Sequence, residues 1–289
     1  MRSEQDMFDL ILGTARDDER IRAVIMNGSR TNPAARRDIF QDYDIVYVVR
    51  DIASFINDPV WIDRFGERMI LQLPDTMGDP PPQGDGSFTY LIQFMDGNRI
   101  DLNLFPLDKL PDRQEESLRV LLLDKDGLFA PFPPPDDRDH LPQPPSARAF
   151  ADCCNEFWWV STYVAKGLWR QELTYAKSMM DEIVRGELLK MLTWYVGVQT
   201  GFTRSPGKYG KYLKDCLPAD LWVLLEKIYA DADYQHTWDA LLVMGELFRR
   251  AAHEVAAHQG LTYPQRDDDR VSAHLRYVRA LPPDATDMY

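Results

Sequence analysis

The sequence predicts an α+β chain, in which a mixed sheet with flanking helices is followed by a helical bundle. Three observations support this. Short apolar segments with alternating polarity dominate the first part of the chain, as half-buried strands require. Long stretches with apolar residues at helical spacing fill the region from Ala147 onward. Between them, Pro131 to Pro145 is rich in Pro and Asp and has no periodicity, so it reads as a connector. The expected domains are 1–135 and 136–289.

Taken in order, Gln5–Ala15 carries Met7, Phe8, Leu10 and Ile11 at helical spacing and leads through Arg16-Asp17-Asp18-Glu19 into a strand at Ile21–Ile25. A Gly-Ser turn at Gly28-Ser29 precedes the strand that contains Asp42 and Asp44. Asp51–Gly66 is expected to be helical with a break at Pro59, and Met69–Leu73 to be a short strand. Asp75–Ser87, full of Pro, Gly and Asp, is a loop. Phe88–Met95 and Asn98–Phe105 flank Asp96-Gly97, the pair that suits a two-residue hairpin turn. That hairpin would set Asp101 on a strand beside the one bearing Asp42 and Asp44. Arg119–Leu123 is a further strand. Helices are expected around Phe150–Lys166, Glu172–Thr200, Ala219–Ala230 and His236–His258. The stretch Pro264–Arg270 is expected to be a solvated tail before one or two amphipathic turns.

Composition narrows the function. A chain of 289 residues that is 45% hydrophobic buries an ordinary globular core. Cys153, Cys154 and Cys216 are too few and too irregularly spaced for a disulfide framework or a Cys-x-x-Cys metal site, which favours a reducing compartment. The first residues lack an apolar signal core, and no window is long and apolar enough to span a bilayer, so the reading is cytoplasmic with no membrane partner. Lys+Arg 33 against Asp+Glu 46 gives a net charge of −13, which repels a polyanion and argues against a nucleic-acid partner. The same surplus steers a small polycation inward.

Chemistry concentrates in three places. Met26-Asn27-Gly28-Ser29-Arg30 closes an apolar run with a turn whose amides and hydroxyl suit phosphate oxygens. Asp42-Tyr43-Asp44 follows, its first Asp thirteen positions beyond Ser29, and residues two apart in a strand face the same way. Arg99-Ile100-Asp101 adds a third acid in another alternating segment. An Asp-x-Asp pair alone is common at the polar ends of strands. Three acids on otherwise apolar strands, with a Gly-Ser turn upstream, match the order found in the nucleotidyltransferase superfamily, whose sheet is polymerase-beta-like. Nucleotidyl transfer develops negative charge on the attacking and leaving oxygens, and two Mg²⁺ ions roughly 3.5–4 Å apart neutralise both.

The resemblance extends further. Gly28-Ser29-Arg30, Asp38–Tyr47, Arg99–Leu102, Cys154–Trp158 and Val160–Tyr163 resemble the aminoglycoside 6-adenylyltransferases, as do Ala165–Leu168, Val184–Met191, Thr200–Phe202 and Gly207-Lys208. The similarity covers nearly the whole chain, with departures at Gly186 and Lys208–Lys211. It implies transfer of AMP from ATP to the 6-hydroxyl of streptomycin with release of pyrophosphate, in a cleft between two domains, and hence antibiotic resistance. It implies that Asp42, Asp44 and Asp101 are catalytic and hold Mg²⁺, with Asp101 also the base, and that Ser29 is a phosphate contact. The alternatives are another small-molecule or protein acceptor, or a non-catalytic nucleotide-binding module.

Gly28 and Arg30 are assigned to the nucleotide with Ser29, Arg30 adding positive charge. Lys208 and Lys211, in Gly207-Lys208-Tyr209-Gly210-Lys211, are further candidates for the triphosphate, although the segment is not a Walker A loop. Trp169 and Glu172 stand close enough in sequence to offer a cationic aminoglycoside an aromatic plate and a carboxylate. Trp158, Trp159, Trp194, Trp222 and Trp238 are expected mostly in the core. His253 and His258 lie five apart, about 140° around a helix, and cannot converge on one zinc ion. The expected assembly is a monomer or weak homodimer.

Overall fold

The computed structural model describes residues 1–33, 35–112 and 116–288. The chain forms two compact units, Met1–Asp139 and His140–Tyr289. The first unit opens with α1 (Glu4–Asp17), begun by a capping box in which the Ser3 hydroxyl accepts the Asp6 N–H and the Asp6 carboxylate accepts the Ser3 N–H. Helix α1 buries Met7, Ile11 and Ala15. The strands are β1 (Ile21–Asn27), β2 (Tyr43–Val49), β3 (Arg68–Gln72), β4 (Phe88–Phe94), β5 (Arg99–Pro106) and β6 (Arg119–Asp124).

The strand order is β3-β4-β5-β2-β1-β6. Among the described residues only β2 and β5 pair in parallel, and every other neighbouring pair is antiparallel. Alternation along β2 sends Ile45, Tyr47 and Val49 to a large core with α1, Phe55, Trp61 and Phe65, and sends Val46 and Val48 to a smaller one with Ala23, Ile25 and Phe105. The Tyr47 hydroxyl, buried in the larger core, donates to the Ile11 carbonyl at 2.6 Å.

Two local expectations are corrected. Asp51–Gly66 is not one broken helix but a single short turn, α2 (Ala53–Ile56), and a 3₁₀ turn at Trp61–Phe65. Trp61, packed edge-on against Phe55 at 4.7 Å, is drawn inward there and donates to Asp18 at 3.1 Å. The β4–β5 connection spans four residues, and of Asp96 and Gly97 only Gly97 has positive φ, at 88°. Asp96 instead binds Arg2 and the Asn98 amide, which widens the turn.

The described residues of the second unit form helices and loops: α3 (Ala147–Trp169), α4 (Leu173–Ser178), α5 (Arg185–Thr200), α6 (Leu213–Cys216), α7 (Ala219–Lys227), α8 (Tyr234–Gln259) and α9 (Gln265–Ala280). A π-helical stretch, Met179–Val184, carries α4 into α5, so the periodicity of 172–200 reads as one helix although its middle is wound more loosely. Phe157 stacks on Phe248 at 3.8 Å in the core. Trp158 and Trp238 are buried, whereas Trp159 is exposed. The expected solvated tail is in fact the start of the 16-residue α9.

The reason for that last difference lies in Asp268, which is fully buried. It accepts from Arg249 at 2.6 Å, from Ser272 at 2.8 Å and from the Tyr263 hydroxyl at 2.8 Å, and Tyr263 in turn accepts from Trp158 at 3.1 Å. Burial alone would push this carboxyl up, but the three donors outweigh it and hold it below the ordinary range. Two of the three donors to Asp268, Arg249 and Tyr263, lie outside α9, so an acidic segment that looks solvated is pinned inside. No helix among the described residues is long and apolar enough to cross a membrane.

Asp268→Asn leaves Arg249 without its counter-charge, and removal of one partner from a buried pair costs about 3–5 kcal/mol. We expect a loss toward the lower end of that range in urea denaturation near neutral pH. The gap should narrow as pH falls, because a carboxyl with a lowered folded pKa contributes stability above its unfolded pKa and loses it as it protonates. A loss below about 1 kcal/mol would show that the network is not structural.

Candidate active site

The parallel pairing of β2 with β5 places Asp44 directly opposite Asp101. On the other side of Asp44 its partner is Asn27, the last residue of β1. By alternation these three share the face of Val46, Val48 and Phe105, at the strand ends where that apolar surface stops. Asp42 lies just before β2 rather than within it, so the Asp-x-Asp is not a simple same-face strand pair. Arg99, two residues before Asp101 on β5, forks onto that carboxylate at 2.7 and 2.8 Å, and its Nε lies 3.6 Å from Asp42. One guanidinium thus joins the first and third acids.

Gly28 is required by contact as well as by conformation. Its φ is +74°, and a Cβ there would fall 2.1 Å from an Asp44 carboxylate oxygen. The turn is tied down by Gly28 N–H to the Leu118 carbonyl at 3.1 Å and by Thr31 N–H to the Gly28 carbonyl at 3.1 Å. Among the described residues the Ser29 hydroxyl and N–H make no hydrogen bond within the protein.

Crowding of like charges shows in the acids themselves. Burial, then Asp101 and Asp42, push the Asp44 carboxyl up to about 6, against the opposing pull of Arg99, and Glu116 adds to the repulsion. Asp42 is raised too, chiefly by burial and despite Arg99. No group of three or more His, Cys, Asp or Glu among the described residues is gathered tightly enough to hold a metal ion as it stands.

Other expected site residues fall elsewhere. Arg30 is engaged structurally and not held ready for phosphate. It donates to the carbonyls of Asp42 at 3.0 Å and Gln41 at 2.8 Å, pairs with Glu4 at 3.2 Å, and lies 3.8 Å from the Tyr43 ring centre. It therefore fixes the backbone that carries Asp42. Lys208 and Lys211 belong to the second unit, on an exposed loop with positive φ at Gly207, Tyr209 and Gly210. Their amines lie over Tyr209 and Tyr212, at 5.6 and 5.0 Å.

Trp169 lines a cavity of about 380 Å³ in the second unit with Tyr163, Lys166, Arg170 and His274. Glu172 does not line it. A left-handed residue, Gln171 at φ 58°, turns the chain so that Glu172 caps α4 with its side chain exposed. Trp169 and Glu172 therefore do not share that cavity, whose charged lining is Lys166, Arg170 and Asp287. Conversely, three residues at the acid cluster were missed. Arg99 was legible from its position two before Asp101, and Asn27 from its place before Gly-Ser. Glu116 carries no sequence signal.

The raised Asp44 carboxyl has a measurable consequence. A group whose folded pKa lies above its unfolded one favours the fold at low pH and loses that contribution as pH rises, here from about 4 toward about 6. Asp44→Asn should therefore stabilise the ligand-free protein near pH 7.5 by about 1–3 kcal/mol, with the gain vanishing near pH 4. Thermal melts across that range check it, and equal or lower stability at neutral pH would contradict it.

The chain matches the family described as streptomycin adenylyltransferase over residues 1–278. A curated relative from Campylobacter jejuni, an aminoglycoside 6-adenylyltransferase, is 43% identical over 269 residues, 93% of this chain and 93% of the relative. Another of the same description, from Bacillus subtilis (strain 168), is 42% identical over 270 residues, 93% of this chain and 95% of the relative. A crystal structure of an aminoglycoside 6-adenyltransferase from Bacillus subtilis aligns over 97% of this chain and 100% of its own length, with 37% identity and a TM-score of 0.48. The family match over residues 1–278, with curated relatives 42% and 43% identical over 93% of this chain, places this chain in the streptomycin adenylyltransferase family.

Proposed function

We propose that this chain transfers AMP from ATP to an aminoglycoside, specifically to the 6-hydroxyl of streptomycin, with release of pyrophosphate, and thereby confers resistance. The observation that carries this reading is the register that sets Asp44 opposite Asp101, with Gly28 packed beneath the Asp44 carboxylate. Asp42, brought to the same cluster through Arg99, completes a set of hard oxygen donors. On this reading the first unit is the nucleotidyltransferase domain and the helical unit the substrate-binding domain.

The acid cluster fits Mg²⁺ in donor type and in charge. Arg99 contacts only Asp101 and Asp42, and burial, with repulsion among the acids added to it, raises Asp44 and Asp42, a cost that a divalent cation relieves. Asp42, Asp44 and Asp101 would hold it, with phosphate and water supplying the remaining ligands. When bound, Mg²⁺ neutralises charge on the reacting phosphoryl group and on the leaving pyrophosphate.

The protein's own groups do the rest. The Ser29 hydroxyl and amide, which have no partner within the described protein, hold phosphate oxygens at the end of β1. Asp101 takes the proton of the attacking hydroxyl, and the two-pronged contact from Arg99 fixes the direction in which that carboxylate faces. Arg30 keeps the Asp42 backbone in place from behind. A net charge of −13 suits a cationic, guanidino-bearing acceptor and disfavours nucleic acid.

Two outcomes test the reading. Purified protein with ATP, Mg²⁺ and streptomycin should yield streptomycin one AMP heavier by mass spectrometry, with equimolar pyrophosphate; absence of that product across a panel of aminoglycosides would refute it. Asp42→Asn should lower turnover by about 100-fold or more with unchanged circular dichroism, as expected on loss of a charged ligand at nearly constant size. Turnover within a few-fold of the parent would remove Asp42 from the chemistry.

A further inference from the structure

Helix α3 carries a tryptophan that the core does not use. At helical spacing Asp152, Glu156, Trp159, Tyr163, Lys166 and Arg170 fall on one face, opposite the buried Phe157, Val164 and Leu168. Of the seven tryptophans in the chain, Trp159 is the one that stands exposed, at 58%. Its indole N–H donates to the Tyr163 hydroxyl at 2.7 Å, and the two rings meet edge to face with centroids 6.2 Å apart.

The indole finds its hydrogen bond without leaving the surface, so a large apolar ring is held against solvent, a cost that an unused position has no reason to carry. Charge around it is ordered. Glu156 stands exposed one turn before Trp159, and its carboxylate makes no hydrogen bond or ion pair among the described residues. On the other side the Lys166 amine lies 4.8 Å from the Tyr163 ring centre, so that ring already receives a cation. Acids early and bases late along a helix answer its dipole, but the dipole gives no account of the tryptophan. A free carboxylate beside an open indole suits a flat cation that stacks on the ring and pairs with the acid, whereas a phosphate is repelled by Glu156.

We propose that Trp159 and Glu156 bind a guanidinium group of the acceptor, the indole stacking on it and the carboxylate pairing with it. Tyr163 holds the indole in position through its hydroxyl, whose own proton stays free for an oxygen of the same ligand. The inference rests on the proposed adenylylation of an aminoglycoside and names the residues by which the helical unit takes that substrate. It moves the expected aromatic plate and carboxylate from Trp169 and Glu172 to two residues one turn apart on α3.

Calorimetric titration of streptomycin and, separately, of MgATP into the parent, Trp159→Ala and Glu156→Gln tests this. Both positions are exposed, so thermal melts should match the parent. The streptomycin Kd should rise at least about fivefold in each variant, with KM rising more than kcat falls, while the MgATP Kd stays within about twofold. A smaller rise in either variant overturns the proposal. Weakened MgATP binding also overturns it and would assign the plate to the nucleotide. A parent dimer in sedimentation that Trp159→Ala splits overturns it in favour of a second copy of the chain. If the parent adenylylates streptomycin while the variants bind it equally well, the plate alone falls. If the parent neither binds nor adenylylates any aminoglycoside, the plate and the functional reading fall together.

Discussion

The parallel register of β2 and β5 is the constraint on which the site depends. It holds two half-buried carboxylates side by side, and a third is drawn in through one shared guanidinium. Left alone, such a group would relax by protonation or by turning its side chains apart. It is held because both strands are anchored by apolar residues immediately beyond the acids: Ile45, Val46 and Tyr47 on one, Ile100, Leu102 and Leu104 on the other. The cost of the crowded charges is thus carried by burial elsewhere in the sheet.

Close approach is the second half of the same device. The Asp44 carboxylate lies over Gly28 at a distance no side chain tolerates, and the turn that follows leaves the Ser29 hydroxyl and amide available. Arg30 shows how near a role can lie to the one expected of it. It sits beside the Gly-Ser turn, yet its guanidinium is given to backbone carbonyls and to the Tyr43 ring. Its contribution is to position Asp42. The helical unit uses the same physics for another end, since Asp268 is a buried charge with every oxygen matched by a donor, and it secures a helix whose own sequence is largely polar.

Much of this was legible in the sequence. Strand alternation located β1, β2, β4, β5 and β6 to within two residues at each end, because period-2 burial leaves a direct imprint on residue choice. The Gly-Ser turn and the three acids were identifiable because polar residues at the ends of apolar strands need a reason. What failed had identifiable physical causes. The turn at Asp96-Gly97 widened because Asp96 had partners distant in sequence, Arg2 among them. Residues 51–66 lost their helical period because Trp61, Phe55 and Phe65 pack inward from a tight turn. Glu172 does not share the Trp169 cavity because proximity along the chain says nothing about direction once Gln171 adopts a left-handed conformation.

By itself the sequence determined the order of elements, the residue types able to carry nucleotidyl chemistry and the electrostatic preference for a cationic partner, because each is written in local pattern and composition. Which acids became neighbours and which arginine joined them were decided only by tertiary structure. Those facts arise from the register between strands far apart in the chain. A shift of one residue in the β2–β5 pairing would have preserved every motif and turned Asp101 to the opposite face.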